Sequence, residues 1–451
     1  MSAVVNAPFA AAGRQPLAVG HADRVVALDS GQRLSLETFE AHVRGVAAAL
    51  PSGRHAVNLC EDRYRFLVAF CAVALRGQTT LLPPSRAPEV VIDVLARYPE
   101  SYSLGDGLLS AVPPGHWLLP EPLPQQAGDA PMIDDSAVVA IGFTSGSTGA
   151  PTPNPKVWSA FRASTGQNIA ALESLWQGYP MPYVVATVPP QHMYGMELSV
   201  LLPLLGPAGL HTGRPFFPED VARALAETPE PRLLATTPVH LRALIESNVQ
   251  LPALCGIVSA TAPLSQELAA AAEERFGCEV REVFGSTETC VIARRRTASE
   301  TAWTPLPGVH VHPKPDGTLV HAAHLPVPVA LADLVELESD GRFHLRGRQA
   351  DLLEIAGKRA SLGDLTRRLL AIPGVVDGVM LQLDDQGKRG VARVAALVVA
   401  PDLEEAAILA ALRESIDPVF LPRPLKRVDA LPRSETGKLP RAELLKLLGA
   451  P

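Results

Sequence analysis

The sequence contains no C-x-x-C pair. Its five cysteines (Cys60, Cys71, Cys255, Cys278, Cys290) are odd in number and irregularly spaced, so neither a disulfide framework nor a cysteine zinc site is indicated. A reducing, cytoplasmic setting fits that usage. Long hydrophobic runs are missing as well: the longest wholly apolar stretch, "FLVAFCAVAL" at 66–75, is too short to span a bilayer. No basic segment opens "MSAVVNAPFAAAGRQ", and a secretory signal peptide is not expected. Charge of either sign forms no long run, and a net charge of −7 makes nucleic acid a poor partner. Three nucleotide and nucleophile signatures are also absent: the Gly-Lys-Ser/Thr ending of a P-loop, G-x-G-x-x-G, and G-x-S-x-G.

What is present describes a globular chain. Its 451 residues suffice for two or three domains, and 47% hydrophobic with 19% charged residues is an ordinary globular balance. The 43 prolines are spread along the whole length and imply many tight connections. "LSLETFEAHVRGVAAAL" (34–50) has helical spacing, with Ser35 at its start and Glu37 and Glu40 near it. "AVVAIGF" and "YVVATV" are short apolar runs bounded by turn signals, as buried strands are. Such alternation up to about residue 345 predicts a large α/β domain with a mostly parallel sheet. After "GRQADLLEIAGKR" (347–359) the character changes. A short helix led by Ser361 and Asp364, strand-like "VVDGVMLQL" and "VARVAALVVA", and a helix at 403–416 with Asp402 as N-cap predict a small α+β domain. The expected boundary lies near 350.

Candidate chemistry begins at "IGFTSGSTGAPTPNPKVW" (141–158), where an apolar run enters six residues that are only Thr, Ser and Gly. Dense amides and hydroxyls without bulk suit a polyphosphate, although a polar turn after a strand has the same composition. Three later stretches matter with it: "REVFGSTET" (281–289), "FHLRGRQADLLEIAGKRASL" (343–362) and "LPRSETGKLPR" (431–441). In this order and at these separations, the four stretches resemble the adenylate-forming (AMP-binding) superfamily of acyl- and aryl-CoA synthetases. The similarity runs from about residue 20 to the end.

That resemblance implies an α/β fold with a large multi-sheet N-terminal adenylation domain, 1–350, and a small mobile α+β C-terminal domain, 351–451. It implies ATP and Mg²⁺ as cofactors, with CoA or phosphopantetheine as acceptor. Thr144, Ser145, Gly146, Ser147, Thr148 and Gly149 would wrap the departing pyrophosphate. Phe284, in the turn with Gly285 and Ser286, would stack on adenine; Thr287 would bond the α-phosphate and Glu288 would hold the metal. Asp333 matches the carboxylate that binds the ribose, and Arg348 the arginine that joins it. Lys438 matches the catalytic lysine that bridges substrate carboxylate and α-phosphate. "PPQHMYGMELS" (189–199) resembles the acid-pocket segment, with His192 as gate and Tyr194 and Gly195 as lining. "SATAPL" (259–264) matches the adenine-contacting loop, with Ala260 and Thr261 where glycines are usual; Ala262 would contact the cofactor, and Ser259 and Thr261 would line the substrate pocket. Gly357 and Lys358 would form the loop that admits the thiol.

Several positions depart from the family pattern. The loop lysine that normally follows G-x-Pro is displaced to Lys156, and whether it still reaches pyrophosphate is open. The hinge position is Ala350 beside Asp351, and Asp333 follows Ala332 rather than glycine. These features are most similar to compact ligases of aryl polyene and xanthomonadin-type pigment pathways, which load a hydroxybenzoate-like acid onto an acyl carrier protein. The implied partners are therefore a small carboxylic acid and an acyl carrier protein. A fatty acid is the alternative substrate, and a catalytically decayed nucleotide-binding module the alternative class. Amino acids are disfavoured, because "HMYGM" lacks an acid to pair an α-amine. The four histidines of "GVHVHPKPDGTLVHAAH" (His310, His312, His321, His324) could ligate a metal, but no acidic or cysteine ligand adjoins them.

Overall fold

Short β-branched runs alternating with amphipathic stretches build two mostly parallel sheets, the multi-sheet arrangement that the family resemblance implies, where the alternation alone suggested a single sheet. The computed structural model describes residues 13–449 except 30, 108, 110, 145–151, 180, 349–351, 356–357, 384–392 and 434–438. They fall into two compact units. The first holds the described residues up to Glu300, with Leu306–Val309 and Ala322–Val327; the second holds Thr301–Pro305, His310–His321 and the remainder from Pro328.

In the first sheet β1 (Val138–Thr144) lies between β2 (Thr152–Val157) and the strand Thr79–Leu82. His55–Asn58, Ser101–Gly105 and His116–Leu118 follow in order, all parallel. Only β2 is antiparallel, and it forms the edge; its Pro153 and Pro155 stand opposite Phe143 and Ile141. Helix α1 (Leu36–Ala49) starts where the Ser35 hydroxyl accepts the Thr38 amide at 3.2 Å, and it buries Phe39, Val43 and Val46. Helix α2 (Arg63–Leu75) is apolar on every side and accordingly buried on every side. Trp158 and Phe161 of helix α3 (Trp158–Leu172) join the same core. Among the described residues, no helix is long and apolar enough to cross a membrane.

The second sheet centres on β3 (Tyr183–Ala186), parallel to β4 (Arg232–Thr236) on one side and to Gly209–His211 on the other. Beyond β4 come β5 (Gly256–Ser259) and β6 (Val280–Ser286), both parallel, then β7 (Cys290–Arg295), antiparallel to β6. After β3 the chain lays its next strand on one side and β4 on the other. Such a switch point opens a crevice at the strands' carboxyl ends.

In the second unit β8 (Asp333–Leu337) pairs antiparallel with β9 (Phe343–Arg348). Ser361 caps the helix Leu362–Leu370 by accepting the Asp364 amide at 3.4 Å, as its position in the sequence suggested. The strands Asp377–Leu383, Arg393–Val399 and Leu425–Arg427 form one sheet. The helix expected from 403 begins later, at Glu405–Ser415, with Glu404 rather than Asp402 at the cap position. Burial of Ile408 and Leu412 sets its phase, and Asp402 falls in the preceding turn.

Candidate active site

β1 delivers the Gly/Ser/Thr loop. Thr144 ends the strand half-buried, opposite Thr152; Ser145, Gly146, Ser147, Thr148 and Gly149 lie outside the described residues. Two residues earlier, Gly142 marks a close approach. A Cβ there would fall 2.6 Å from Thr287 Cγ2 and 3.5 Å from Met193 Cε. Three segments far apart in sequence thus meet at one point: the strand entering the loop, the GSTE turn, and the HMYG segment.

The turn between β6 and β7 braces itself. The Thr289 hydroxyl accepts the Ser286 amide at 3.1 Å, and the Ser286 hydroxyl accepts the Thr289 amide at 3.2 Å. A Cβ on Gly285 would meet the Cys290 carbonyl oxygen at 2.1 Å, so only glycine fits there. Cys290 is buried at φ +59°, a conformation that L-residues other than asparagine and aspartate seldom adopt. Phe284 is half-buried. The carboxylate of Glu288, also half-buried, takes no hydrogen bond or ion pair among the described residues. Such an unengaged carboxylate oxygen fits a hard divalent cation. Lys156 does not project from the loop. Its side chain is buried, and its ammonium donates to the Glu288 carbonyl at 2.7 Å.

The segment 189–199 follows the carboxyl end of β3. His192 is half-buried at the start of the short helix Met193–Met196. Gly195 packs so tightly that a Cβ would lie 2.0 Å from the Pro189 carbonyl oxygen. The Tyr194 hydroxyl sits 2.8 Å from Val258 O and 3.1 Å from Thr236 O, joining the ends of β4 and β5; burial pushes its pKa upward. Immediately beyond, Ser259 Oγ and Thr261 Oγ1 are buried with no hydrogen-bond partner among the described residues, and Ala262 follows half-buried. Thr261 holds φ +80°, a left-handed conformation that favours glycine. A β-branched residue there is strained by about 1–3 kcal/mol. Thr261→Gly is therefore expected to raise stability by about 1 kcal/mol in thermal denaturation, partly offset by glycine's freedom in the unfolded chain.

In the second unit, the register of β8 and β9 places Asp333 opposite Arg348, with Asp333 half-buried. Lys358 begins the strand Lys358–Ser361; Gly357 and Lys438 lie outside the described residues, as does Ala350 at the hinge position. Among the described residues no group of three or more His, Cys, Asp or Glu is gathered to hold a metal. Within the hairpin His310 pairs with His321, whose ring meets that of His312 edge-on with centroids 5.0 Å apart.

Two buried polar residues, Glu197 and Arg63, escaped the reading by motif, and a third, His324, was read only as a possible metal ligand. Glu197, in a wide π turn (Glu197–Leu201) after the HMYG helix, accepts from Ser164 Oγ at 2.5 Å, Asn168 Nδ2 at 2.9 Å and the Val291 amide at 2.9 Å. Burial raises its carboxyl pKa; those bonds and the charge of Lys156 oppose the rise. His324, buried in the first unit, donates from Nε2 to the Thr289 carbonyl at 2.6 Å; burial pulls its pKa down to about 4. Arg63 is fully buried at the start of α2, bonded to Ser199 Oγ, Ala186 O (2.9 Å) and Val188 O (2.8 Å), so it secures the carboxyl end of β3. Burial brings its pKa down to about 9. An acid inside "MYGMELSVLL" and an arginine before an apolar helix were the available signals.

The pattern of the AMP-binding enzyme family matches residues 85–341. The chain is 28% identical over 325 residues to a 4-coumarate–CoA ligase from Halorhodospira halophila, covering 70% of this chain and 79% of that one. A 4-coumarate–CoA ligase from Rhodobacter capsulatus is 32% identical over 311 residues, covering 66% and 74%. Among solved structures, o-succinylbenzoate coenzyme A synthetase from Bacillus subtilis, in complex with ATP and a magnesium ion, superposes with a TM-score of 0.80. It shares 17% identity and covers 94% of this chain and 96% of its own.

Proposed function

Since the chain belongs to the AMP-binding enzyme family and is an AMP-forming acid–thiol ligase, we propose that it activates a hydroxybenzoate-like aryl acid and passes it to the pantetheine thiol of an acyl carrier protein. In the first half-reaction a carboxylate oxygen of the acid attacks the α-phosphorus of ATP. The bond to pyrophosphate breaks, and acyl-AMP remains. In the second, the thiol sulfur attacks the acyl carbonyl, AMP leaves, and the thiol gives up its proton.

The convergence at Gly142 carries this proposal. The strand that leads to the loop for the leaving pyrophosphate, the turn for the α-phosphate and the segment for the acid meet where one methyl group would not fit. Thr144 and the loop beyond it receive the pyrophosphate; Thr287 holds the α-phosphate and Glu288 the Mg²⁺, which, when bound, neutralises phosphate charge. The magnesium-bound synthetase of the same fold is consistent with that role. Phe284 stacks on adenine, while Asp333 and Arg348, register partners, take the ribose. His192 stands between acid and thiol. The small domain, 351–451, turns between the half-reactions, withdrawing Lys438 and presenting Gly357 and Lys358.

The aryl preference draws on the relatives named as 4-coumarate–CoA ligases and on Ser259 and Thr261, whose buried hydroxyls have no partner among the described residues. A buried unpaired hydroxyl is costly, and a phenolic substrate would satisfy it. Expected in ATP–pyrophosphate exchange is a preference of about ten-fold or more for hydroxybenzoates over decanoate, with amino acids inert. Equal or better exchange with decanoate would move the enzyme to the fatty acyl branch. CoA and carrier protein compared as acceptors decide the second half; faster thioester formation on CoA would refute the carrier-protein assignment.

A further inference from the structure

We infer that Lys156, Glu197 and His324 form a buried clamp that fixes the backbone of the Glu288 turn, and that they are positioning residues for adenylation. The inference rests on the role proposed for Glu288. Three peptide groups within four residues are each bonded to a side chain from a distant part of the chain. Lys156 donates to the Glu288 carbonyl at 2.7 Å, His324 to the Thr289 carbonyl at 2.6 Å, and Glu197 accepts the Val291 amide at 2.9 Å. The side chains come from β2, from the π turn after the HMYG helix, and from the segment Ala322–Val327. All three are 95% or more buried, at 5%, 2% and 2% exposure.

Between the gripped groups lies Cys290 at φ +59°. A strained residue persists only where its surroundings over-determine it, and here they do. The two strands of the turn run so close that a Cβ on Gly285 would fall 2.1 Å from the Cys290 carbonyl oxygen. What remains outside the clamp is the pair of side chains at its tip, Thr287 and Glu288, which make no hydrogen bonds among the described residues. Backbone fixed and side chains unengaged is the arrangement expected of groups reserved for a ligand. The displaced lysine of the Gly/Ser/Thr loop thus acts through the turn, and pyrophosphate is left to amides and hydroxyls.

The test uses Lys156→Met and Glu197→Gln, which remove charge with little change in volume. Three quantities are measured: amide hydrogen exchange of the segment 284–292, Mn²⁺ affinity in the presence of ATP by electron paramagnetic resonance, and the rates of the two half-reactions. Expected are faster amide exchange confined to that segment and a loss of roughly 10–100-fold in Mn²⁺ affinity and pyrophosphate exchange, the range typical of residues that orient metal ligands. Thioester formation from supplied acyl-AMP should stay within about two-fold of wild type. A merely structural role would lower the melting temperature and slow both half-reactions alike. Folded variants with wild-type amide exchange and Mn²⁺ affinity overturn the clamp. Should Lys156→Met fail to fold, the isosteric Glu197→Gln carries the same test. If the wild-type enzyme shows no acid-dependent pyrophosphate exchange, the ligase assignment to an acid fails, while hydrogen exchange still decides the clamp.

Discussion

Lys438→Ala is expected to abolish acyl-AMP formation while leaving thiol transfer from supplied acyl-AMP intact. Carboxylate and α-phosphate are both anions, and they must approach within bonding distance in the first half-reaction. A fixed ammonium between them offsets their repulsion. Removing such a preorganised charge costs about 3–4 kcal/mol, or roughly 10²–10³ in rate. Thiol transfer requires no such neutralisation, because the acyl carbon is already activated and its leaving group is AMP. Thioester yield is therefore measured twice, once from acid with ATP and once from synthetic acyl-AMP. Equal losses in a folded variant would refute the exchange of two catalytic conformations. No loss in either would make Lys438 a surface lysine.

Glu288→Gln should be nearly as severe, with a different signature. The carboxylate is half-buried at the tip of its turn and has no cation of its own among the described residues. The amide has the same shape but offers the metal no charge. Adenylation is expected to fall by roughly 10²-fold and the Mg²⁺ concentration for half-maximal rate to rise by roughly ten-fold. Titrating Mg²⁺ at saturating ATP separates the two effects. Unchanged metal dependence at a normal rate would remove Glu288 from the metal site.

How much of this was legible depended on the range of the interactions. The caps at Ser35 and Ser361 are written within four residues, and both helices begin where those hydroxyls are. "AVVAIGF" and "YVVATV" read correctly as strands, yet they belong to different sheets. An apolar run looks the same whichever sheet receives it, so the several sheets implied by the family resemblance could not be assigned strand by strand from the sequence. Asp402 missed the helix start because burial of Ile408 and Leu412, not the nearest acid, chose the first turn. In the site, motif spacing brought Thr287 to attention but not its contact across Gly142, which exists only after three segments fold together. Lys156 was visible as a displaced residue; its destination follows from the register of β2 on β1. His324 was grouped with its hairpin neighbours by sequence, whereas the fold sends it into the other unit.

The insertion that displaced Lys156 has another consequence, at the rim of the first sheet. β2 is an outer strand, and its sequence Thr-Pro-Asn-Pro-Lys-Val carries proline at every second place. Proline has no amide hydrogen to give β1, so Pro153 and Pro155 direct their nitrogens away from the sheet. A neighbouring molecule approaching that rim would find its ladder of donors interrupted twice within six residues. Exposed sheet edges otherwise invite strand-to-strand association and fibre growth. Here the chain interrupts that ladder in the strand by which it leaves the Gly/Ser/Thr loop.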